Sequence, residues 1–273
     1  MTTDRKLVLG MGLIDGYGGL HGAWRAPHVD PGTYTDVDAT VRHARAAERG
    51  KFAFLFTPDF PAVRGDVEHS TINNLMDPLI QLTAVARETT NIGFVATGST
   101  TFQEPFNTAR QFKALDVLSH GRAGWNAVTT SDPAVAANYG RPVAERAERY
   151  QRAHEAIQIV QALWGSWQED AWIKDQAANR FIDPTRLQPV NLQGQYVASR
   201  GPWRSHRRNR VSPSSSRPAA PARTSCRSRA ATRAASSPRC GRSRRRAPSA
   251  SSCGTRHAKP AATPTRSSTS QAS

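Results

Sequence analysis

Short apolar runs alternate with longer stretches whose apolar residues recur every three to four positions along the first 165 residues. Residues 6–14 form a first apolar run, which predicts a strand. Residues 36–49 have helical apolar spacing and end at Gly50, a residue that commonly stops a helix. Residues 52–56 predict a second strand, with Pro58 and Asp59 just beyond it. Residues 77–89 read as a helix carrying Pro78 in its first turn. Residues 92–97 predict a third strand that runs into Thr97, Gly98, Ser99, Thr100 and Thr101. A helix follows over 105–119, then a fourth strand over 122–129 and a long helix over 144–164.

Four strand–helix units in succession, with a loop insertion after the fourth strand, imply a parallel sheet with right-handed crossovers. The spacing leaves open a (β/α)8 barrel or a doubly wound sheet. No GxGxxG opens a helix, which counts against a dinucleotide-binding first unit.

Both architectures bind ligands at the C-terminal ends of their strands. The residues predicted there are Asp59, the run from Thr97 to Thr101, and Asn126 with Thr129, Thr130 and Ser131. Small hydroxyl residues let a flat polar ligand approach the backbone, and Asp59 can accept a hydrogen bond from a ring N–H. The bland alternatives are a turn carboxylate for Asp59 and turn-forming hydroxyls for the rest. His21 and Trp24 follow the first strand and either line a pocket or anchor a loop. Tyr150 sits near the start of the long helix, where packing is the plain reading. Its neighbours Glu145, Arg146, Glu148 and Arg149 read as a solvated charged face.

HExxH, CxxC and GxSxG motifs are absent from the sequence, and its eight histidines lack metal-ligand spacing, so no metal is expected. Chemistry without such groups suits an enzyme whose cofactor carries the hard step. No apolar run reaches the roughly 18 residues that span a membrane. The N-terminus lacks a signal-peptide pattern, so the expected location is the cytoplasm.

Charge divides the chain at residue 202. Residues 1–202 hold 20 Lys and Arg against all 21 Asp and Glu, a formal charge of −1, while residues 203–273 hold 17 Lys and Arg and no acid, a charge of +17. All three cysteines (Cys226, Cys240, Cys253) fall in the second part. The whole-chain charge of +16 therefore comes from one segment. That segment is dominated by Arg, Ser, Ala and Pro, and predicts a disordered basic tail. A nucleic-acid-binding arm is one reading of it, on a non-catalytic barrel remnant. The tail has no aromatic residue after Trp203, hence no base-stacking platform and no specific nucleic-acid partner is expected.

A flexible linker or tail is a second reading, and a shifted reading frame is a third. Loss of one base near codons 202 and 203 lets residues 211–222 (VSPSSSRPAAPA) be restored to G-Q-P-V-I-V-Q-A-G-S-S-G, an apolar strand and a small-residue turn. Residues 242–256 can be restored to S-L-A-E-A-R-A-F-R-E-L-V-R-D-A, with helical apolar spacing. Acids, a strand and an amphipathic helix thus emerge from a segment that contains none.

Several motifs resemble one family. They are HGAWR (21–25), AERGKFAFLF (47–56), VATGSTTFQEPFNTARQFKALDVLSHGRAGWNAVTTS (95–131), NYG (138–140), ERYQRA (148–153), ALWGSWQEDAWIKD (162–175) and SRGP (199–202). In that order they resemble the bacterial-luciferase-like flavin monooxygenases of the nitrilotriacetate monooxygenase component A type, a group that includes EDTA monooxygenase, dibenzothiophene-sulfone monooxygenase and pristinamycin IIA synthase. The resemblance covers residues 1–202. It implies the N-terminal half of a TIM (β/α)8 barrel (luciferase-like), with the basic tail 203–273 behind it.

It further implies reduced FMN delivered by a separate NADH:flavin oxidoreductase, O2 and a small organic substrate as co-reactants, and a homo-oligomer. Carried over by position, the flavin contacts are Asp59, Thr97 and Tyr150, with Asn126 near the isoalloxazine. Arg146 stands where the family often has a histidine, and is a candidate contact for the flavin phosphate. The family's phosphate-binding serine after the fifth strand has no counterpart before residue 202. A chain lacking that part of the site is expected to be inactive or nearly so.

Overall fold

The computed structural model describes residues 7–14, 20, 22–71, 75–203 and the backbone of 214–216. Contacts divide the chain into Met1–Thr224 and Ser225–Ser273, and every described residue belongs to the first unit. Its elements begin with β1 (Gly10–Gly12), α1 (Val37–Arg49), β2 (Phe54–Thr57), α2 (Pro78–Ala86), β3 (Gly93–Ser99), α3 (Pro105–Leu118) and β4 (Ala123–Val128). A short helix α4 (Pro133–Asn138) occupies the insertion after β4, and α5 (Arg146–Gly165) follows it.

The helix starts follow from their capping residues. Asp36 accepts the Asp38 N–H at 2.9 Å, and Asp77 accepts those of Leu79 and Ile80 at 2.8 and 3.2 Å. These bonds satisfy donors that a first helical turn leaves open. The first exit follows the sequence reading and the second departs from it. Gly50 ends α1 at φ −72, and Lys51 takes the left-handed conformation at φ 60. The predicted helix 77–89 ends at Ala86. Arg122 stops it by taking the carbonyls of Ala86 and Thr89, both at 2.9 Å.

The main sheet runs β1-β2-β3-β4 and then β9 (Ser214–Ser216), every neighbouring pair parallel. This consecutive order lacks the reversal of a doubly wound sheet and is that of a barrel wall. The fifth strand, β9, sets Ser214, Ser215 and Ser216 in register with Gly124, Trp125 and Asn126. It falls within the stretch expected to be disordered; the remainder of 203–273 beyond Trp203 lies outside the described residues. Parallel pairing engages only backbone groups, so the open edge of β4 accepts serines as it would apolar residues.

Alternation sorts the sheet into two faces. Leu55, Phe94, Ala96, Trp125 and Ala127 are buried with the helices in the core. Trp125 packs 5.6 Å from the Phe112 ring and 6.2 Å from the Trp164 ring. Its Nε1 donates to the Gly98 carbonyl at 3.2 Å. A Cβ at Gly98 would lie 2.8 Å from that same nitrogen, so glycine permits the close approach.

Residues after α5 form two hairpins that the apolar pattern did not reveal. β5 (Trp172–Asp175) pairs with β6 (Arg180–Ile182), and β7 (Leu192–Gln193) pairs with β8 (Ala198–Ser199). The first is held by Trp172, 5.2 Å from Trp167 and 5.4 Å from Phe181. The second is fastened to α5 by Glu155, which accepts the N–H groups of Gln195, Tyr196 and Val197 at 3.0, 2.8 and 3.2 Å.

Candidate active site

Thr97 and Asn126 stand opposite one another in the β3–β4 register. Both point to the face away from Trp125 and the helices, because each is one residue removed from the core-facing row. Asn126 Nδ2 donates to Thr97 Oγ1 at 3.0 Å. Thr97 is buried and Asn126 half-buried. The structure thus joins two of the residues singled out in the sequence.

A second hydroxyl pair continues the row outward. Ser99 Oγ and Thr130 Oγ1 share a hydrogen bond at 2.8 Å. Thr100 Oγ1 donates to the Val128 carbonyl at 3.0 Å. The hydroxyls of 99–101 therefore knit the ends of β3 and β4 together, which is partly the turn-forming role the sequence allowed.

Asp59 lies just past β2, whose last residue Thr57 is in register with Ala96, the neighbour of Thr97. It is half-buried. Burial first, and then the charge of Asp77, push its carboxyl up to about 6. Tyr139 feels the same surroundings: burial, then Asp59 and Asp77, raise its hydroxyl above the ordinary range. The Tyr139 ring stacks on Phe102 with centroids 4.5 Å apart and planes 1° from parallel. Asn138, beside it, donates from Nδ2 to the Pro61 carbonyl at 2.8 Å, tying the insertion to the loop after β2. Tyr139 was missed as a site residue. Its one sequence signal was its place in the NYG motif.

Tyr150 lies half-buried in the first turns of α5, with the Arg146 guanidinium 5.7 Å from its ring centroid. That places Arg146 over the tyrosine face, a cation–π arrangement. Trp24 anchors a loop: its Nε1 donates to the His69 carbonyl at 3.2 Å. His21 lies outside the described residues. Among the described residues no group of three or more His, Cys, Asp or Glu is arranged to hold a metal.

The strand ends therefore present an amide, hydroxyls and a carboxyl raised to about 6. Such a set can hydrogen-bond the edge of a flat heteroaromatic ligand, with Asp59 accepting or donating according to its protonation.

Comparison with known proteins narrows the chemistry. N-acetyl-S-(2-succino)cysteine monooxygenase of Bacillus subtilis is 40% identical over 204 residues, 74% of this chain and 46% of the relative. Nitrilotriacetate monooxygenase component A of Aminobacter aminovorans is 35% identical over 207 residues, 71% of this chain and 46% of the relative. EDTA monooxygenase from Chelativorans sp. BNC1 superposes with a TM-score of 0.69 at 32% identity, over 77% of this chain and 50% of that one. A riboflavin lyase structure holding modified FMN and riboflavin superposes with a TM-score of 0.65 at 29% identity, over 74% and 47%. The chain spans about half the length of the curated relatives it matches. Residues 22–231 match the family described as luciferase-like monooxygenase, a span that continues past residue 202. With its consecutive parallel strands and the polar row at their C-terminal ends, the chain belongs to the luciferase-like monooxygenase family.

Proposed function

We propose that this chain carries the N-terminal half of an FMN-dependent monooxygenase that receives reduced flavin from a separate NADH:flavin oxidoreductase and oxygenates a small organic substrate. The observation that carries the reading is the Thr97–Asn126 pair at the C-terminal ends of β3 and β4, beside a carboxyl raised to about 6. A nitrilotriacetate relative called component A supports a two-component system. Among the described residues no helix is long and apolar enough to cross a membrane, and an NADH-linked supply of flavin favours the cytoplasm.

The residues present fit a flavin. Asp59, Thr97 and Asn126 offer donors and acceptors to the polar edge of its ring, and Tyr150 and Arg146 offer a hydroxyl and a cation to its phosphate. When bound, reduced flavin supplies the two electrons that cleave O2, one oxygen atom going to the substrate and the other to water. The protein's own work is to orient and to dry the site. The Asn126–Thr97 hydrogen bond fixes both side chains before a ligand arrives, which lowers the ordering cost of binding. Tyr139 lies within electrostatic reach of Asp59, and the burial of Asp59 strengthens the polar contacts it makes.

Residues 203–273 carry the mark of a shifted frame, and the register of β9 supports it. Position 215 pairs with Trp125, a core residue, and the restored sequence has an isoleucine there between two valines. The chain as written then lacks the family's flavin-phosphate turn and is inactive or nearly so.

The test is single turnover with 18O2, after reduction of FMN by NADH and a flavin reductase, on protein read in the restored frame. Secondary amines, thioethers and sulfones are the substrates to offer. Transfer of one 18O atom to a substrate is expected. Release of the oxygen only as hydrogen peroxide with every substrate, from protein that binds FMN, would contradict the reading.

A further inference from the structure

We propose that a second pocket, bounded by the first turns of α5, the loop after β3 and the turn between β7 and β8, binds the oxyanion of a small carboxylate or phosphate compound. The pocket is concave, holds about 330 Å³, and is lined by Arg141, Arg149 and Arg152 with Phe102, Glu148 and Tyr196. None of these residues belongs to the flavin-facing set of Asp59, Thr97, Asn126, Arg146 and Tyr150.

One guanidinium nitrogen in it has no partner, and a second has an ion-pair contact in place of a hydrogen bond. Arg149 Nε and Arg152 Nη2 are buried and have no hydrogen-bond partner among the described residues. A guanidinium held with an unmet donor is costly, and an oxyanion drawn against its exposed edge in the pocket lowers that cost by charge neutralisation. Each arginine is already held along its other edge. Arg149 Nη1 donates to the Ala144 carbonyl at 2.5 Å. Arg152 Nε and Nη1 donate to the carbonyls of Thr100 and Tyr196 at 3.1 and 3.2 Å. Fixed guanidinium planes with donors left over are suited to planar, multidentate recognition of carboxylate or phosphate.

The charge balance favours an anion. Glu104 Oε1 stands 3.5 Å from Arg152 Nη2, and the exposed Glu148 lines the rim. Among the residues that line the pocket three are cations and one, Glu148, is a carboxylate, while Glu104 and Glu155 act on Arg152 from outside the lining. The ring of Phe102, stacked on Tyr139, gives the pocket an apolar wall. The Tyr196 hydroxyl is engaged by Gln151 Oε1 at 2.9 Å, which fixes a second ring at the mouth. A small apolar body bearing the oxyanion therefore fits better than a fully hydrophilic one.

Isothermal titration of the flavin-free full chain with sodium benzoate and with sodium phosphate, in low-chloride buffer, tests this. Saturable binding of one probe per chain is expected, at least tenfold weaker in Arg149→Met and in Arg141→Ala. Arg141 is exposed on a loop, so its variant leaves the fold intact even if Arg149→Met does not. Benzoate binding more tightly assigns an organic carboxylate, and phosphate binding more tightly assigns a phosphate compound. The basic segment 203–273 is common to all three proteins, so its nonspecific attraction cancels in the comparison. No saturable binding of either probe, equal affinity in Arg141→Ala, or displacement of the probe by FMN would overturn the proposal.

Discussion

Asn126 donates its side-chain amide to the Thr97 hydroxyl across β3 and β4 at 3.0 Å. The bond joins neighbouring strands on the face opposite the core, so it contributes more to positioning than to folding. Thr97→Val keeps the shape and removes the hydroxyl that accepts from Asn126. A loss of about 1 kcal/mol in urea unfolding is expected, and a loss above about 3 kcal/mol would make the pair chiefly structural.

Asp59 sets a pH dependence. Its folded-state value, about 6, exceeds the ordinary 3.8, so the folded protein binds the extra proton between those values. Stability contributed by protonated Asp59 is full below about pH 4 and is lost as pH rises through 6. Because the group is half-exposed, the loss is held to about 1 kcal/mol. Asp59→Asn should remove this step and gain a similar amount at pH 7.5. An unchanged slope between pH 4 and 6.5 in thermal melts would refute the assignment.

Arg122 is a structural hub at the opposite end of the strands. Besides the carbonyls of Ala86 and Thr89, it reaches that of Ser119 at 2.6 Å and that of Ile92 at 2.8 Å, and lies 4.7 Å above the Phe94 ring. Burial lowers its guanidinium value, and the charge of Glu48 works against that. Lysine cannot span these acceptors, so Arg122→Lys should cost about 3 kcal/mol in urea unfolding. A cost under about 1 kcal/mol would show the network to be redundant.

Glu48 adds an acid limb. Burial pushes its carboxyl up, but the N–H groups of Asn91, Ile92 and Thr90 and the charge of Arg122 outweigh it and hold it below 4.5. Its contribution is present above that ordinary value and fades as pH falls through the lower folded one. Glu48→Gln should flatten the stability curve below pH 4.5 and leave flavin affinity unchanged. A curve with the same acid limb would contradict this.

The strand–helix units were legible because each buries one apolar stripe, and the spacing of such stripes is local. Exits were less so. Lys51 takes the left-handed turn that Gly50 invited, since the chain must bring the Phe52 N–H to the Ala47 carbonyl at 3.1 Å. The first hairpin escaped because Trp167, Trp172 and Phe181 pack with each other rather than along a periodic face, and the second because Glu155 holds it through backbone N–H groups. Thr97 and Asn126 were named from strand ends and motif, and the register joins them. Tyr139 was not named, because its link to Asp59 spans 80 positions and exists only once α4 folds over the loop after β2.

The reading frame is open to a direct check. Sequencing the gene across codons 195–216 should show one base missing near codons 202 and 203 relative to a frame that restores the strand Q-P-V-I-V. An intact frame with the basic segment encoded as written would remove that part of the interpretation.

Flavin binding tests the site itself. FMN is titrated into protein read in the restored frame and into its Thr97→Val variant, with quenching of flavin fluorescence as the readout and thermal melts as the control. One FMN per chain is expected, bound about tenfold more weakly by the variant, as the loss of one hydrogen bond of about 1.4 kcal/mol requires. Absence of saturable quenching in the folded protein, or equal affinity in the two, would contradict a flavin on the Thr97–Asn126 pair.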